Sequence, residues 1–362
     1  EYAERLANLG AKVAVPTTLN VSGVDAHGWR QWAVPAEWAE KAHRQMVAYQ
    51  GMGCVPSWTC APYQTEKRPS FGEQVAWGES SAIVFANSVL GARTERYPDF
   101  LDICAAITGR VPAAGLHLTE NRAGRVLVRL SGVSEPLQQA DDFYPVLGHW
   151  VGKVVHERVP VLDGLQVKPS EDQLKALGAA MASSGAVALF HIVGVTPEAP
   201  SLDTAFQGRE PQEIVDVTMH GLRAARRDLT TAEGEQLDMV VLGSPHFSLT
   251  EFRNLVPLVQ GKRRHRDVKF LITSSRGVRM LAERAGLVEP LRDFGGEITV
   301  DTCILTSPML PPEIKVLMTN SAKYAYYTPG LLDRRMAFGS LKDCVQSAVA
   351  GRVIRDDSLW DA

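Results

Sequence analysis

Apolar residues along this chain come in short blocks, and from residue 159 onward the blocks alternate in kind. VPVLDGL (159–165), AVALFHIVG (186–194), DMVVLGS (238–244), KFLITSS (269–275) and EITVDT (297–302) are compact apolar runs of strand length. Between them, residues 169–183, 211–228, 250–259 and 278–285 carry apolar positions at helical spacing. Strands separated by helices of this length predict parallel sheets with helices on both faces. The rhythm resumes in VLMTNSAKYAYY (316–327) and RMAFGSLKDCVQSAVA (335–350). The expected fold class is α/β, with several three-layer α/β/α domains and mostly parallel sheets.

The first part of the chain is less even. Residues 1–9 read as an amphipathic helix stopped by Gly10, followed by a short buried strand, AKVAVP (11–16), and residues 35–49 as a helix entered through Pro35. SAIVFANSVLG (81–91) reads as a buried strand ending in polar residues, with GARTER opening a helix behind it. Residues 97–108 read as a helix, and 115–130 as two strands joined by Asn-Arg-Ala-Gly, with His117 in a hydrogen-bonded, structural role. In the helix over 141–155, Gly148 and Gly152 stand at a spacing that permits close helix packing. The domain division expected is 1–165, 166–300 and 301–362, the last segment returning to the site of the first. Because the opening EYAERLANLG lacks an initiator Met, part of the first domain is expected to lie upstream.

Composition narrows the function classes. With 362 residues, 45% hydrophobic and 22% charged, the chain can bury a large core. A formal net charge of -3 supplies no general attraction to nucleic acid or anionic membranes, and neither is expected as a partner. The one basic run, GKRRHRD (261–267), lies between a helix pattern and a strand and reads as a solvated loop. No apolar window reaches the length of a membrane span and no signal-peptide pattern is present, so a cytoplasmic protein is expected.

The chemistry collects where apolar runs end. TLNVSG, WTCAPY, FANSVLGART, FHIVGVTPEA, VLGSPHFS, ITVDTCILTSP, LMTNSAKYAYY and MAFGSLKDC all finish in small polar residues. Strand ends of this kind converge on a crevice that offers hydroxyls, amides and backbone N–H groups to a small polar substrate. Candidate binding residues are Thr18, Asn20, Asn87, Ser88, Arg93, Thr94, Ser321 and Lys323. Arg93 suits a carboxylate, beside N–H groups of the helix expected after Gly91. His246, with Ser244 two residues before it, is the candidate general acid or hydrogen-bond donor.

Five cysteines are too few and too scattered for a disulfide framework, and no CxxC pair is present. Cys60, Cys303 and Cys344 lie at segment ends, where loop and helix N–H groups favour thiolate. Three such thiolates would hold an iron-sulfur cluster with one iron open as a Lewis acid, although spacing by itself gives more weight to three unrelated core thiols. Cys104 has the spacing of a core residue, and Cys54 is a weaker rival to Cys60. A serine hydrolase is disfavoured because LGSPHF lacks the second glycine of a nucleophile elbow, and a nicotinamide dehydrogenase because no GxGxxG opens a helix. A non-catalytic small-molecule-binding module remains an alternative.

WTCAPYQ (58–64), AWGESSAIVFANSVLGARTER (76–96), ALFHIVGVTPEAP (188–200), LGSPHFSLTEF (242–252) and TNSAKYAYYTPG (319–330) together resemble the aconitase X family, over almost the whole chain. The resemblance implies an aconitase-like large catalytic region and a hydro-lyase acting on a small hydroxy acid: cis-3-hydroxy-L-proline, or alternatively mevalonate 5-phosphate. It implies an iron-sulfur cluster, as 2Fe-2S, 3Fe-4S or 4Fe-4S, on Cys60, Cys303 and Cys344. It also implies a small swivelling domain or subunit that supplies a serine base. No equivalent of that domain is found in this chain. The scarcity of a concentrated basic cradle favours the proline derivative over the phosphate.

Overall fold

The computed structural model describes residues 1–65 and 67–361. Its first part holds helices α1 (Tyr2–Asn8), α2 (Ala36–Gly51), α3 (Ser80–Phe85) and α4 (Leu101–Thr108), joined by long irregular segments. The strand expected over 11–16 does not form, because no neighbouring strand lies alongside it. Its backbone is satisfied piecemeal, Val13 N donating to Met52 O at 2.9 Å and Ala14 N to Ala106 O at 2.8 Å. The segment 81–91 is helical instead of extended. Glu79 caps α3 by accepting from Ala82 N at 2.9 Å, and the helix widens into a π-helical turn, Ala86–Leu90, that ends at Gly91 with φ 67°. GARTER opens no helix; Arg93 forms an isolated bridge with Gln74. His117 lies in a 3₁₀ turn, Gly115–His117, so only the second of the two strands expected over 115–130 is present.

The middle of the chain builds a four-stranded sheet from β1 (Val126–Arg129), β2 (Pro160–Asp163), β3 (His191–Ile192) and β4 (Glu213–Asp216). The order is β3-β2-β1-β4, and every pairing is parallel. Helices α5 (Glu135–Gln139), α6 (Phe143–Val155), α7 (Glu171–Gly185), α8 (Leu202–Phe206) and α9 (Met219–Asp228) accompany it. The helix expected over 211–228 thus begins as an edge strand. As the glycine spacing predicts, α6 and α7 pack closely. A Cβ on Gly148 would stand 2.3 Å from Leu177 O, and one on Gly152 2.2 Å from Ser184 Oγ. The core between sheet and helices includes Val126, Val128, Phe143, Leu147, Leu177 and Phe190.

The last part builds a five-stranded parallel sheet of order β7-β6-β5-β8-β9, from β5 (Met239–Phe247), β6 (Lys269–Ser274), β7 (Glu297–Val300), β8 (Val316–Thr319) and β9 (Arg335–Phe338). Its helices are α10 (Leu249–Val259), α11 (Arg276–Arg284), α12 (Glu289–Phe294), α13 (Ala322–Leu332), α14 (Leu341–Ala350) and α15 (Ser358–Asp361). The chain winds outward from β5 in one direction and from β8 in the other, so the topological switch lies between them. At that point β5 slips register against β6 between Leu242 and Phe247. Gly243 permits the slip: its φ is 98°, and a Cβ there would stand 2.1 Å from Thr273 O. Both sheets cross the expected domain limits. A division at residue 165 splits the four-stranded sheet, and one at residue 300 cuts just behind β7 of the five-stranded sheet.

Candidate active site

Cys60 lies on an irregular loop tied to the segment before α2. Val55 N donates to Thr17 O at 2.8 Å and Thr59 N to Leu19 O at 3.1 Å, while Trp58 turns the chain with φ 42°. No strand precedes it. Cys303 lies just past β7, where Asp301 reverses the chain with φ 66°. Thr306 N and Ser307 N donate to Cys303 O at 3.2 and 3.1 Å, and Thr302 Oγ1 donates to Ser22 O at 2.7 Å.

His246, projected by the slipped end of β5, joins these two loops. Its backbone N–H donates to Cys60 Sγ at 3.2 Å, its Nδ1 stands 3.0 Å from Thr59 Oγ1, and its Nε2 stands 3.1 Å from Thr302 O. A carbonyl oxygen only accepts, so Nε2 carries the proton and Nδ1 accepts from the Thr59 hydroxyl. Burial pushes the imidazole down to about 4, and the ring is neutral. His246 is thus a positioning residue. The role expected for it, general acid or hydrogen-bond donor to a substrate, requires a ring nitrogen free for that substrate, and here both are engaged. Ser244 contributes its carbonyl, which accepts from the Ser321 hydroxyl that also caps α13. No contact joins its side chain to the imidazole among the hydrogen bonds of the described residues.

Burial, then the Glu79 carboxylate, pushes the Cys60 thiol up to about 12, and Cys303 adds to the rise; the two sulfurs are near enough for one charge to oppose the other. Beside them α13 brings in Lys323, which pairs with Glu79 and donates to Ser81 Oγ at 2.9 Å. Burial alone would lower this ammonium; Glu79, with the two cysteines, outweighs it and holds Lys323 above its usual value. Behind His246, its carbonyl is 3.5 Å from Lys175 Nζ, which is paired with Glu251 and, at 3.0 Å, with Asp172. Glu79, Ser81, Thr59, Thr302 and Lys175 were not singled out by sequence reasoning. Glu79 and Ser81 are visible in the WGESS segment, but nothing local shows that Lys323 answers them from 244 positions away.

A cavity of about 710 Å³ opens beside this group, lined among others by Thr18, Asn20, Ser22, Trp58, Thr59 and Glu79. Thr18 and Asn20 thus line this cavity. Asn87, Ser88 and Thr94 do not. The Asn87 amide bridges Thr94 O, Ala188 O and Arg122 Nη1, Ser88 Oγ accepts from Phe190 N, and Thr94 Oγ1 accepts from Trp77 N. These buried groups are engaged in holding the first part of the chain to the four-stranded sheet. Arg93 donates to His117 O at 3.1 Å and is not among the cavity-lining residues.

The cysteine set expected for an iron-sulfur cluster is not assembled. Cys344 lies fully buried in α14, within the apolar core of the five-stranded sheet alongside Leu242, Phe252 and Ala337. Burial, followed by Asp343, Asp141 and Asp142, raises its thiol; neither Cys60 nor Cys303 is among its charged neighbours. A helical position that looks like a helix start in sequence here faces inward, because α14 must cover the sheet. Among the described residues no group of three or more His, Cys, Asp or Glu side chains is placed to hold a metal ion. Cys60 and Cys303 fit as two thiol donors, and the trio with Cys344 does not fit. Cys104 is exposed, contrary to its core-like spacing, and Cys54 is buried in a separate apolar cluster.

Comparison with known proteins bears on the whole arrangement. Family models described as Aconitase X first, second and third domain match residues 1–120, 124–227 and 237–350. The chain is 50% identical over 355 residues to cis-3-hydroxy-L-proline dehydratase of Pseudomonas aeruginosa, covering 97% of this chain and 60% of that protein. It is 46% identical over 355 residues to the Hypocrea jecorina protein of the same name, covering 97% and 59%. The phosphomevalonate dehydratase large subunit of Methanocaldococcus jannaschii is 34% identical over 348 residues, covering 96% and 85%. The crystal structure of Thermococcus kodakaraensis aconitase X (holo-form) superposes with a TM-score of 0.85 at 34% identity, covering 96% of this chain and 84% of that one. The chain spans about 60% of the length of the two hydroxyproline dehydratases. Three family-domain matches in order, over sheets whose limits they follow, show that this chain belongs to the aconitase X family.

Proposed function

We propose that this chain is the large catalytic part of a hydro-lyase that dehydrates cis-3-hydroxy-L-proline. In that reaction the C–H bond beside the carboxylate and the C–O bond at the neighbouring carbon break, a double bond forms between those carbons, and water leaves. The resulting enamine tautomerises to a pyrroline carboxylate. The observation that carries the reading is the meeting of Cys60, Cys303 and the Lys323–Glu79 pair at the switch of a parallel sheet, with Glu79 also on the wall of the cavity.

Lys323 gives one N–H to Glu79 and one to Ser81, which leaves a third for a substrate oxygen beside Cys60. Low surrounding polarity strengthens such a contact. The base that removes the proton is assigned to a small domain or subunit outside this chain, a reading supported by the greater length of the hydroxyproline dehydratases and by the name "large subunit" carried by archaeal relatives. An iron-sulfur cluster in this site would take Cys60 and Cys303 as two of its donors.

The cavity favours the proline derivative over mevalonate 5-phosphate. Among the described residues its lining holds three cations, Lys67, Arg68 and Arg110, and three anions, Glu73, Glu79 and Asp102, and Arg68 is already held by Glu171 at 2.7 and 3.0 Å. Such a balance suits a zwitterion better than a phosphorylated carboxylate. The test is an assay of the full-length protein, anaerobically supplied with iron and sulfide, on both compounds. Conversion of cis-3-hydroxy-L-proline alone is expected; conversion of mevalonate 5-phosphate alone, or of neither, would overturn the assignment.

A further inference from the structure

Several polar groups around the cavity are already engaged within the protein. Thr59 Oγ1 serves His246 Nδ1 and, at 3.1 Å, Ala61 N; Glu79 holds Lys323 and the Ala82 amide; Asn20 Oδ1 accepts from Val21 N at 2.8 Å. Ser22 differs. It lines the same cavity and is only 5% exposed, yet among the described residues its hydroxyl has no hydrogen-bond partner. Its backbone is fixed on both sides to the turn that carries Cys303. Ser22 N donates to Asp301 O at 2.7 Å, and Ser22 O accepts from Thr302 Oγ1 at 2.7 Å. The backbone that carries the hydroxyl is therefore firmly held.

Buried hydroxyls are almost always paired, because an unpaired one gives up its hydrogen bonds to water and gains nothing in return. A buried, unengaged donor on a tethered backbone at a cavity wall is what a group looks like when its partner arrives with the ligand. We propose that Ser22 contacts the substrate, donating its hydroxyl proton in a hydrogen bond to a carboxylate oxygen of the bound hydroxy acid. This rests on the hydro-lyase reading and adds a residue to it. The carboxylate is the fitting partner, since a neutral donor bonds most strongly to an ionised acceptor.

The test uses the full-length protein and its Ser22→Ala variant. Removing an unengaged hydroxyl leaves the fold undisturbed, so the variant should melt at the wild-type temperature. Its kcat/KM on the hydroxy acid should fall about 10- to 100-fold, and its affinity for L-proline, which keeps the carboxylate and lacks the leaving hydroxyl, should fall by a similar factor. Affinity for pyrrolidine, which has no carboxylate, should not change. Unaltered turnover and unaltered proline affinity in the variant would overturn the role of Ser22 and leave the function standing. A variant that is destabilised but binds proline normally would make Ser22 structural, which also overturns it. If the wild type binds proline without turning over the hydroxy acid, and Ser22→Ala weakens that binding, the function fails and the contact survives. A wild type that neither binds nor turns over these compounds overturns both.

Discussion

Thr59 Oγ1 and His246 Nδ1 stand 3.0 Å apart across 187 positions of sequence, and the opposite edge of the same ring meets Thr302 O at 3.1 Å. One neutral imidazole thus spans the loops that carry Cys60 and Cys303. The relative placement of the two thiols depends on a side chain from neither loop.

Replacing His246 by Ala removes this tie and leaves the Thr59 hydroxyl proton without its acceptor and the buried Thr302 carbonyl without its donor, Thr59 Oγ1 keeping only the bond it accepts from Ala61 N. A loss of about 2–4 kcal/mol is expected in denaturant unfolding. Below the transition, Cys60 and Cys303 should react faster with a thiol reagent than in the wild type. Unchanged stability and unchanged thiol reactivity would show that the loops hold themselves.

Cys344 and Cys60 should respond oppositely to Ser substitution. Cys344→Ser puts a hydroxyl into the apolar core of the five-stranded sheet and should cost about 1–3 kcal/mol of stability, with turnover per folded molecule preserved. Cys60→Ser and Cys303→Ser should abolish turnover with a smaller effect on unfolding. Loss of turnover in a fully folded Cys344→Ser protein would return Cys344 to the site.

The Lys323–Glu79 pair is buried, with side chains 10% and 13% exposed. Removing one charge strands the other, so Lys323→Met and Glu79→Gln should each destabilise by about 3–5 kcal/mol. The double variant should regain much of that stability. It should regain no activity, because the N–H proposed for the substrate is gone.

His149 gives the protein an acid-sensitive core. Burial, then the Lys153 charge, lowers its imidazole to about 4, and both ring nitrogens lack hydrogen-bond partners among the described residues. Unfolded histidine titrates near 6.5, so between these values the unfolded chain binds the proton more readily. Stability from this group is complete above pH 6.5 and is lost as pH falls toward 4, by up to roughly 3 kcal/mol. Urea melts at pH 7 and pH 4.5 should show a smaller drop in His149→Leu than in the wild type. Equal drops would mean the ring is reached by water in the native state.

Much of the architecture was legible without coordinates. The strands of the five-stranded sheet and most of its helices follow from local periodicity, and Gly148 and Gly152 announced the tight α6–α7 contact. These features depend on residues close together in the chain, so the sequence carries them directly. Around residues 81–91 the same kind of reading failed. An apolar run is compatible with strand or helix, and the Glu79 cap, with no strand alongside, decides for helix.

Sequence by itself determined the parallel α/β class and the family, and it placed Lys323 just behind an apolar strand. Only the tertiary structure decided which segments meet. It brought Cys303 to Cys60 through His246, turned Cys344 into the core, and engaged Asn87, Ser88 and Thr94 in backbone support. The reason is that a side chain's chemistry is written locally, whereas its partners are chosen by packing between segments hundreds of residues apart.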